Sequence, residues 1–574
     1  MQNIEFSTLK ELFELTTERF ANNLSFGFVS GQSYSYRTLK EEADKIGKML
    51  VESGAKPGDK IAIMAQNMPN WPVAYFAIIC NGMVVVPLLP DFSQFEVENI
   101  LEHSESNMLF VSKSLSYKIG ERVKERLELV VELDSWKKLH LKGGLSVGAK
   151  AVPKEEDLAT IIYTSGTTGG SKGVMLTHSN LVSHLYSAMK LRPGFEWDIW
   201  LSLLPLSHTF ENSLGMLLPM ASGSSVYYIE KPPTPTVLLA ALKEVRPTTL
   251  LSVPLIIEKI FRGSVLPKFK KSKVVASIYS TTLGRKLLHR VAGKELMKTF
   301  GGRVRFFGIG GAKLDGEVEQ FLYEAKFPYA IGYGLTESSP LLAGATPKFV
   351  KWQSSGTAVD GVELRIDNPN PITGEGEIVA RGPNITAGYY KNPEATKEAF
   401  TKDGWFRTKD LGLFDKKGRL YIKGRLTNMI LGPGGENIYP EEIEMVINGH
   451  SMVAESVVTE SKGKLVAKVH FNPEKLKALK EATTEAIASY YDETKEKLVK
   501  SYEDKRGDLI HFYDEKREEM TSLFNNKVEQ LKLEVQEYVN KRVNKFSRIA
   551  VVIEHREQFE KTATQKIKRY KYTD

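Results

Sequence analysis

Short apolar runs alternate with amphipathic stretches along the chain up to about residue 425. The apolar runs are rich in Val, Ile and Leu and are followed by Gly, Pro or Ser, as in KIAIMAQ, NMLFVS, TTLLSVP and VRFFGIGGA. Segments with helical periodicity, such as TLKEEADKIGKMLVESG, lie between them. This alternation predicts an α/β fold with mostly buried strands, in which ligands bind at the glycine-rich turns that follow the strands.

The pattern changes to short alternating strands and turns in VELRIDNPNPITGEGEIVARGP. The strand LYIKGR then leads into a basic turn, where we place a boundary between an N-terminal domain, residues 1–425, and a C-terminal domain, residues 426–574. The second domain has strands of its own, ESVVTE, KLVAKVHF and IAVVIEH, and is predicted to be α+β.

A charged tract, residues 476–546, carries apolar residues at steps of mostly three, four or seven, which predicts helix with one narrow apolar stripe. A straight helix of about 70 residues would be on the order of 100 Å long, and it would carry the strand IAVVIEH away from its domain. We therefore predict an antiparallel helical hairpin. Its turn is placed at KRGD, where Gly507 takes the left-handed conformation and Asp508 caps the next helix.

Composition is that of a soluble globular protein, with 42% hydrophobic and 26% charged residues among 574. The net charge is +8, and we interpret the basic residues as spread along the chain and interleaved with acidic ones. This distribution argues against nucleic-acid binding, whereas a small basic surplus suits anionic lipid. The single cysteine, Cys80, fits a reducing compartment. The first residues lack the pattern of a secretory signal, and no apolar run is long enough to cross a bilayer. We expect a cytoplasmic protein, and leave open a peripheral contact with the inner face of the membrane.

The stretch YTSGTTGGSKGVMLTH, residues 163–178, is almost entirely glycine, hydroxyl side chains and one lysine. Small residues let backbone N–H groups approach a phosphate, and the hydroxyls and Lys172 add donors and charge, so the loop predicts a polyphosphate site. It is not a Walker loop, because Ser171 stands where that pattern needs glycine. A polar surface hairpin without a ligand is the alternative. The loop residues assigned to phosphate are Thr164, Ser165, Gly166, Thr167, Thr168, Gly169 and Lys172.

TSGTTG followed by KGV resembles the phosphate loop of the adenylate-forming superfamily, which includes acyl-CoA synthetases, luciferases and peptide-synthetase adenylation domains. The resemblance extends from GAKPGDKIAIMAQN to KTATQKIKRY and rests on five further segments in the expected order; residues 476–528 lie outside it. It implies a large N-terminal domain of α/β layers with a small β-barrel-like part, and a smaller mobile C-terminal domain. It also implies ATP, Mg²⁺ and CoA.

In GYGLTESSP the resemblance implies that Tyr333, followed by Gly334, stacks on adenine, that Thr336 touches phosphate and that Glu337 holds magnesium. Mg²⁺ takes few carboxylates and otherwise relies on phosphate and water oxygens, which agrees with this assignment. Taken alone, such a glutamate is more often a helix-capping partner. The turn of FFGIGGAKL supplies Gly310, Gly311 and Ala312, whose backbone can pass the flat face of a base.

Two further segments are similar to ribose contacts of the superfamily. GWFRTKDLG contains Asp410, whose carboxylate is implied to accept both ribose hydroxyls, and YIKGRLTN contains Arg425 as the second contact. By themselves these residues would be a turn former and a surface arginine.

The resemblance implies two catalytic side chains in addition to Glu337. His208, in LSLLPLSHTFE, lies beside the acyl substrate and the reacting phosphate, where we assign it to positioning; alone it would be a buried core histidine. Lys566, in FEKTATQKIKRY, matches the catalytic lysine, which only the motif distinguishes from neighbouring lysines. Departures from the pattern are Gly170 and Ser171 before Lys172, Gln565 before Lys566, and Thr427 and Asn428 at the hinge; they bear on the domain movement.

LSLLPLSHTFE followed by TTLLSVPLIIEKIF looks like the long-chain fatty acyl-CoA synthetase branch, although Leu255 stands where that branch often has arginine. The implied function is ATP-dependent ligation of a fatty acid to CoA through an acyl-adenylate, with release of AMP and pyrophosphate. The alternatives are an acyl carrier protein as the thiol acceptor, and a weakly active scaffold or lipid-binding relative. A homodimer is also left open.

Overall fold

The apolar runs form the strands of two large sheets in the first of two structural units, Met1–Ile422 and Lys423–Asp574. This computed structural model describes residues 5–144, 146–164, 172–231, 234–431, 437–461, 463–483, 506–562 and 566–573. The division between the units lies three residues before the predicted boundary of 425/426.

The strands of the first unit, the last of which runs across the division, are short and mostly apolar. They are β1 (Leu24–Phe28), β2 (Ser33–Ser35), β3 (Lys60–Met64), β4 (Val84–Leu88), β5 (Ser106–Val111), β6 (Leu129–Glu132), β7 (Lys138–Leu141), β8 (Leu158–Thr164), β9 (Lys172–Thr177), β10 (Ile199–Leu201), β11 (Ser225–Tyr228), β12 (Thr249–Ser252), β13 (Phe306–Ile309), β14 (Tyr329–Gly334), β15 (Leu341–Ala345), β16 (Thr357–Ala358), β17 (Glu363–Asp367), β18 (Gly376–Arg381), β19 (Gly388–Tyr389), β20 (Phe406–Phe414) and β21 (Leu420–Arg425).

The helices of the first unit lie between these strands. They are α1 (Leu9–Arg19), α2 (Tyr36–Glu52), α3 (Asn70–Ile79), α4 (Gln94–His103), α5 (Glu121–Arg126), α6 (His178–Leu191), α7 (Thr209–Glu211), α8 (Leu218–Ala221), α9 (Pro235–Val245), α10 (Pro254–Ile260), α11 (Leu266–Lys270), α12 (Lys273–Ser280), α13 (Thr282–Thr299), α14 (Gly316–Ala325) and α15 (Pro393–Glu398).

Both large sheets have a parallel centre. The eight-stranded sheet has the order β19-β9-β8-β4-β3-β5-β6-β7, and β4, β3, β5 and β6 pair in parallel. The nine-stranded sheet has the order β16-β15-β14-β13-β12-β10-β11-β1-β2, with parallel pairs from β1 through β11, β10, β12 and β13 to β14. Parallel strands need cover on both faces, which explains why every residue of the apolar helix α3 is buried.

The part predicted to be barrel-like is a four-stranded sheet of order β17-β18-β20-β21. Strands β17, β18 and β20 pair antiparallel. The predicted α/β fold class is confirmed, with its change to short antiparallel strands after about residue 360.

The second unit is built around a three-stranded sheet of order β24-β25-β26. Its elements are β22 (Ile430–Leu431), β23 (Asn437–Ile438), α16 (Pro440–Asn448), β24 (Val453–Ser461), β25 (Lys464–Phe471), the helical stretch α17 (473–483), α18 (Arg506–Asn540) and β26 (Val551–Glu554). One side of α18 is buried against this sheet through Leu531, Val535 and Val539.

The predicted turn at Gly507 is wrong. Gly507 and Asp508 lie in helix α18, described as Arg506–Asn540, and take helical rather than turn conformations. The hairpin itself stays a prediction, because residues 484–505 lie outside the described residues. An antiparallel course is supported by Lys480, whose Nζ lies 5.9 Å from the ring centroid of Phe524. Leu476 packs farther back, on the core cluster that contains Leu531.

Among the described residues, no helix combines the length and the apolar character needed to cross a bilayer.

The burial of side chains on α18 predicts how substitutions in this helix change the stability of the second unit. Val535 is fully buried, whereas Leu533, two residues away, is 61% exposed. Val535→Ala should destabilise the second unit by about 2 kcal/mol, because a cavity replaces two buried methyl groups. The matched variant Leu533→Ala should change its stability by less than about 0.5 kcal/mol. Thermal unfolding of both variants measures the difference, and equal shifts would contradict this packing.

Candidate active site

Segments at the carboxyl ends of β12, β13 and β14 approach one another closely at Gly310. The backbone N–H of Gly310, just after β13, donates to the carbonyl of Ser252 at 3.1 Å. A Cβ added at Gly310 would lie 3.2 Å from Cζ of Phe210 and 3.4 Å from the carbonyl oxygen of Gly332. The predicted segments around residues 208, 310 and 333 therefore lie side by side.

Gly310 is followed by a left-handed glycine and an exposed turn. Gly311 has φ +83°, a conformation that favours glycine, and it and Ala312 are exposed. This leaves the backbone of the turn accessible, as the prediction of a base-binding surface requires.

Gly334 ends β14 at a still closer approach. A Cβ there would lie 1.8 Å from the carbonyl oxygen of Pro340, which also accepts a hydrogen bond from the backbone N–H of Leu335 at 2.9 Å. The chain can thus fold back on itself directly after β14. Thr336 and Glu337 follow in the short 3₁₀ turn Thr336–Ser338.

Two predicted adenosine-binding residues are in direct contact. The hydroxyl of Tyr333 donates to Oδ2 of Asp410 at 2.8 Å, and Asp410 is buried. A bulge aims this carboxylate: Glu377 faces Leu411 across the sheet and Val379 faces Arg407, so four steps along β20 oppose two along β18.

One backbone conformation and one hydrogen bond inside the bulge fix its shape. Lys409 lies in the left-handed region at φ +60°, and the backbone N–H of Asp410 donates to Oγ1 of Thr408 at 3.1 Å. Thr408 and Lys409, the two residues that precede Asp410 in β20, therefore set the orientation of its carboxylate.

The two ends of the glycine-hydroxyl loop face each other across an antiparallel pair. Thr164 of β8 is opposite Lys172 of β9, so one strand enters the loop and another strand leaves it. The loop residues Ser165, Gly166, Thr167, Thr168 and Gly169, and the departures at Gly170 and Ser171, lie outside the described residues.

Tyr389 connects the loop lysine with the predicted magnesium ligand. Its hydroxyl donates to Oε1 of Glu337 at 2.8 Å, and Nζ of Lys172 lies 5.1 Å from its ring centroid. Strand β19 holds Tyr389 there by pairing with β9, with Tyr389 opposite Val174. Tyr389 was not among the predicted site residues; its signal in the sequence was a glycine followed by two tyrosines in AGYYKNP.

The neighbouring tyrosine is bonded elsewhere. The hydroxyl of Tyr390 donates to Oε2 of Glu105 at 2.8 Å, and Nζ of Lys391 lies 2.8 Å from Oε1 of the same carboxylate. These bonds lower the pKa of Glu105 to about 2, with the Lys391 hydrogen bond as the largest cause. Glu105 is therefore an ionised structural partner, and adjacent tyrosines serve different carboxylates.

His208 caps the short helix α7. Its Nδ1 accepts from the backbone N–H of Phe210 at 3.2 Å, and its carbonyl accepts from the N–H of Asn212 at 2.9 Å. These bonds fix the ring next to Phe210, whose own ring lies against Gly310.

A buried carboxyl group, missed in the sequence, supports the segment that leads to His208. Glu211 is 1% exposed and accepts a hydrogen bond from Oγ of Ser202 at 2.5 Å, and its Oε2 has no hydrogen-bond partner among the described residues. Burial raises the pKa of Glu211 to about 8, against the lowering effect of the Ser202 bond. The group is therefore protonated at neutral pH.

Asn67 ties the same segment down. Its Nδ2 donates to Oγ of Ser202 at 2.9 Å and to the carbonyl of Leu204 at 2.6 Å, and its Oδ1 accepts from the N–H of Leu206 at 2.8 Å. The run from Ser202 to His208 is thus fixed by side chains outside it. The signal in the sequence for Glu211 was a glutamate inside the apolar run HTFENSLGMLL.

Two predicted site residues belong to the second unit. Arg425 ends β21, and Lys566 is exposed, with its backbone N–H donating to Oγ1 of Thr562 at 3.2 Å and its carbonyl accepting from the Thr562 N–H at 2.7 Å. Gln565 lies outside the described residues.

The residues around Glu337 fit a magnesium ion that arrives with a nucleotide. The described part of the chain contains no group of three or more His, Cys, Asp or Glu side chains able to hold a metal by themselves. One carboxylate oriented by the Tyr389 hydroxyl matches Mg²⁺, which keeps several waters and takes its other ligands from phosphate.

Comparisons with known proteins show the family of the chain. The sequence profile of the family described as AMP-binding enzyme matches residues 13–390. The peroxisomal long chain acyl-CoA synthetase 7 of Arabidopsis thaliana is 30% identical over 530 residues, which cover 82% of this chain and 74% of that protein. A long-chain-fatty-acid–CoA ligase of Mycobacterium bovis is 30% identical over 471 residues, with 76% and 77% covered.

A solved structure shows the same fold. The O-succinylbenzoate coenzyme A synthetase of Bacillus subtilis in complex with AMP superposes with a TM-score of 0.72 at 21% identity, over 98% of both chains. The predicted superfamily and fold class are confirmed. The chain belongs to the family of AMP-binding enzymes, the adenylate-forming superfamily that its loop and its ordered segments predicted.

Proposed function

We propose that this protein joins a fatty acid to the thiol of CoA in two steps. A carboxylate oxygen first attacks the α-phosphorus of ATP, the bond from that phosphorus to pyrophosphate breaks, and an acyl-adenylate forms. The thiol sulfur then attacks the acyl carbon, the bond to AMP breaks, and a thioester forms. The fatty acid–CoA ligase prediction is confirmed at the level of the family by its long-chain acyl-CoA synthetase relatives.

One observation supports this proposal most directly: the adenosine side and the phosphate side of a nucleotide site meet within one segment. Tyr333, bonded to Asp410, and Glu337, bonded to Tyr389, are four residues apart. A nucleotide whose base and ribose lie at the first pair would carry its phosphates toward the second, where Lys172 supplies positive charge. Bound Mg²⁺ would neutralise phosphate oxygens there.

The chain's own residues have to bring two anions together. A fatty acid is ionised at neutral pH, so no base is required and catalysis depends on positioning and charge. We assign positioning of the acyl carboxylate to His208, and stabilisation of charge at the α-phosphate to the ammonium group of Lys566. Ribose binding is assigned to Asp410 and Arg425. The loop residues named above are assigned to the phosphates.

The length of the fatty acid and the identity of the thiol acceptor stay predictions. The length of the fatty acid depends on the depth of an acyl tunnel, and an acyl carrier protein could replace CoA as the acceptor. A membrane contact and a homodimer stay predictions as well. Release of pyrophosphate with a panel of fatty acids, repeated with CoA or with carrier protein, tests activity, donor and acceptor together. No pyrophosphate release with any acid would contradict the proposed function.

Lys566→Ala should lower the adenylation rate by about 100-fold or more, because an ammonium near the developing charge is lost. It should spare thioester formation from supplied acyl-adenylate, which needs no such charge. The two half-reactions are measured separately. Lys568→Ala, two residues along, is the control and should leave both rates near normal. Equal losses in both half-reactions for Lys566→Ala would overturn its assignment.

Tyr389→Phe should raise the Mg²⁺ concentration for half-maximal adenylation by about tenfold, because the carboxylate of Glu337 loses the donor that orients it. Glu337→Gln should raise it further and depress the rate, since an anionic ligand is removed. Magnesium titrations of adenylation measure both effects.

Tyr390→Phe is the matched control for Tyr389→Phe, because its hydroxyl bonds Glu105 instead. An unchanged magnesium requirement in Tyr389→Phe, or the same change in both tyrosine variants, would contradict the orienting role of Tyr389. Unchanged activity and magnesium dependence in Glu337→Gln would make Glu337 a structural residue.

Glu211→Gln should make the protein more stable at alkaline pH. A carboxyl whose pKa is raised to about 8 stabilises the fold fully only below its unfolded pKa of about 4.5, and that stabilisation falls as pH rises to about 8. The amide keeps the shape and cannot ionise. The melting temperature of the variant relative to wild type should therefore rise between pH 5 and pH 8, equivalent to at most ~1.4 kcal/mol per pH unit.

The exposed Glu295→Gln, measured over the same pH range, is the control for replacing a carboxyl group by an amide at the protein surface. A difference for Glu211→Gln that does not change with pH would mean that the Glu211 carboxyl group is not held neutral.

A further inference from the structure

Helices α12 and α13 present aliphatic side chains to solvent. Leu283 is 83% exposed, Val274 70% and Leu287 62%, and Val291 and Ile278 are also exposed. No residue of α12 is buried. Large aliphatic groups at this exposure on adjacent helices are typical of an interaction surface.

These five side chains form one surface, which we call the α12–α13 face. Leu283, Leu287 and Val291 are four residues apart and therefore share one side of α13. Gly284 allows the end of α12 to abut the start of α13, because a Cβ there would lie 2.1 Å from the carbonyl oxygen and 2.7 Å from Cγ2 of Ile278. Ile278 thus joins the aliphatic groups of the two helices.

The other side of α13 is packed tightly against the unit. A Cβ at Gly293 would lie 2.6 Å from Cβ of Ala325, at the end of α14. Arg285 bonds Oε1 of Glu324 at 2.9 Å, and the rings of Phe269 and Tyr279 stack with centroids 4.8 Å apart. The α12–α13 face is therefore held on a fixed base.

Positive charge is concentrated on the same segment. Residues 266–299 contain nine Lys and Arg against a single acidic residue, Glu295, a net +8 that equals the net charge of the whole chain. On α13, the basic residues Lys286, Arg290 and Lys294 are exposed and each follows one of the aliphatic residues by three positions. Cations and aliphatic groups therefore alternate on one exposed side of the helix.

We propose that the α12–α13 face docks on an anionic lipid bilayer. Aliphatic groups would enter the boundary between head groups and acyl chains, while the long basic side chains would reach the lipid phosphates beside them. A nucleic acid offers phosphates but no apolar layer for the five aliphatic groups. A second copy would bring one +8 segment against another.

Docking there fits the chemistry of the substrate, and this part of the inference rests on the proposed function. Fatty acids partition into bilayers, and both helices lie in the connection between β12 and β13, whose carboxyl ends hold Ser252 and Gly310. A bilayer contact on this connection would place the source of the acid on the unit that binds the nucleotide.

Sedimentation with lipid vesicles tests the proposal on the full-length protein. Wild type should bind vesicles of phosphatidylcholine and phosphatidylglycerol at 3:1 at least tenfold more tightly than vesicles of phosphatidylcholine alone. The triple variant Lys286→Glu, Arg290→Glu, Lys294→Glu should lose at least tenfold in affinity, because each basic residue contributes on the order of 1 kcal/mol at an anionic surface.

A second variant, Leu283→Gln with Leu287→Gln, should also lose at least tenfold, through the apolar contribution. The matched control is Phe349→Gln with Ile372→Gln, which removes two exposed hydrophobic groups elsewhere in the same unit and should bind like wild type. All variants should adenylate a short, soluble acid at the wild-type rate, which shows that they are folded.

The proposal would be overturned by no vesicle binding by wild type, by equal binding by wild type and both face variants, or by a wild-type dimer that the same substitutions dissociate. Binding of the face to an acidic protein in place of vesicles would also overturn it. Vesicle binding by a protein that releases no pyrophosphate with any acid would leave the docking surface standing and remove the proposed function, so the two failures are distinguishable.

Discussion

The close approach of three backbone segments at the carboxyl edge of the nine-stranded sheet is the constraint on which the site depends. At Gly334 a single methyl group would lie 1.8 Å from the Pro340 carbonyl oxygen, and at Gly310 it would press on the ring of Phe210. The contact at Gly334 is with backbone and cannot be relieved by moving a side chain, whereas the contact at Gly310 would need a small shift of the Phe210 ring. The glycines thus set where Tyr333, Thr336 and His208 can lie, before any ligand is considered.

Electrostatics then divides the carboxyl groups of this region into two kinds. Asp410 and Glu337 each accept a tyrosine hydroxyl, and Glu337 shares its tyrosine with the ammonium group of Lys172. Glu211 is buried with one bond from Ser202, and burial raises its pKa, so it holds a proton and adds no negative charge near His208. The site must accept a carboxylate and a polyphosphate together. It can tolerate Asp410 and Glu337 because they act as ligands, and it can tolerate the buried Glu211 only when that group is neutral.

The sequence predicted much of this because its signals are local. Apolar runs ending at glycine gave the parallel strands, and the order of the segments gave the family. Tyr389 was missed because its partners, Lys172 and Glu337, are more than 50 residues away along the chain and meet only through the pairing of β19 with β9. Gly507 was wrongly predicted as a turn because helix propensity disfavours glycine by only about 1 kcal/mol, a cost that the packing of α18 through Val535 and Val539 can exceed.

The distribution of charge corrects a second expectation and gives it a physical use. Basic and acidic residues are expected from the sequence to be interleaved along the chain. Residues 266–299 alone have a net charge of +8, however, so the charges of all other residues sum to zero. Because the residues outside 266–299 have no net charge, the electric field at the proposed nucleotide site depends on individual groups such as Lys172. Because a field from exposed charges fades within about 10 Å at ordinary ionic strength, the α12–α13 face can attract an anionic surface while the polar residues at the end of β14 set the chemistry. The two tasks therefore lie in different places of the first unit: the exposed leucine and lysine are on helices α12 and α13, in the connection between β12 and β13, and the nucleotide-binding residues follow β13 and β14.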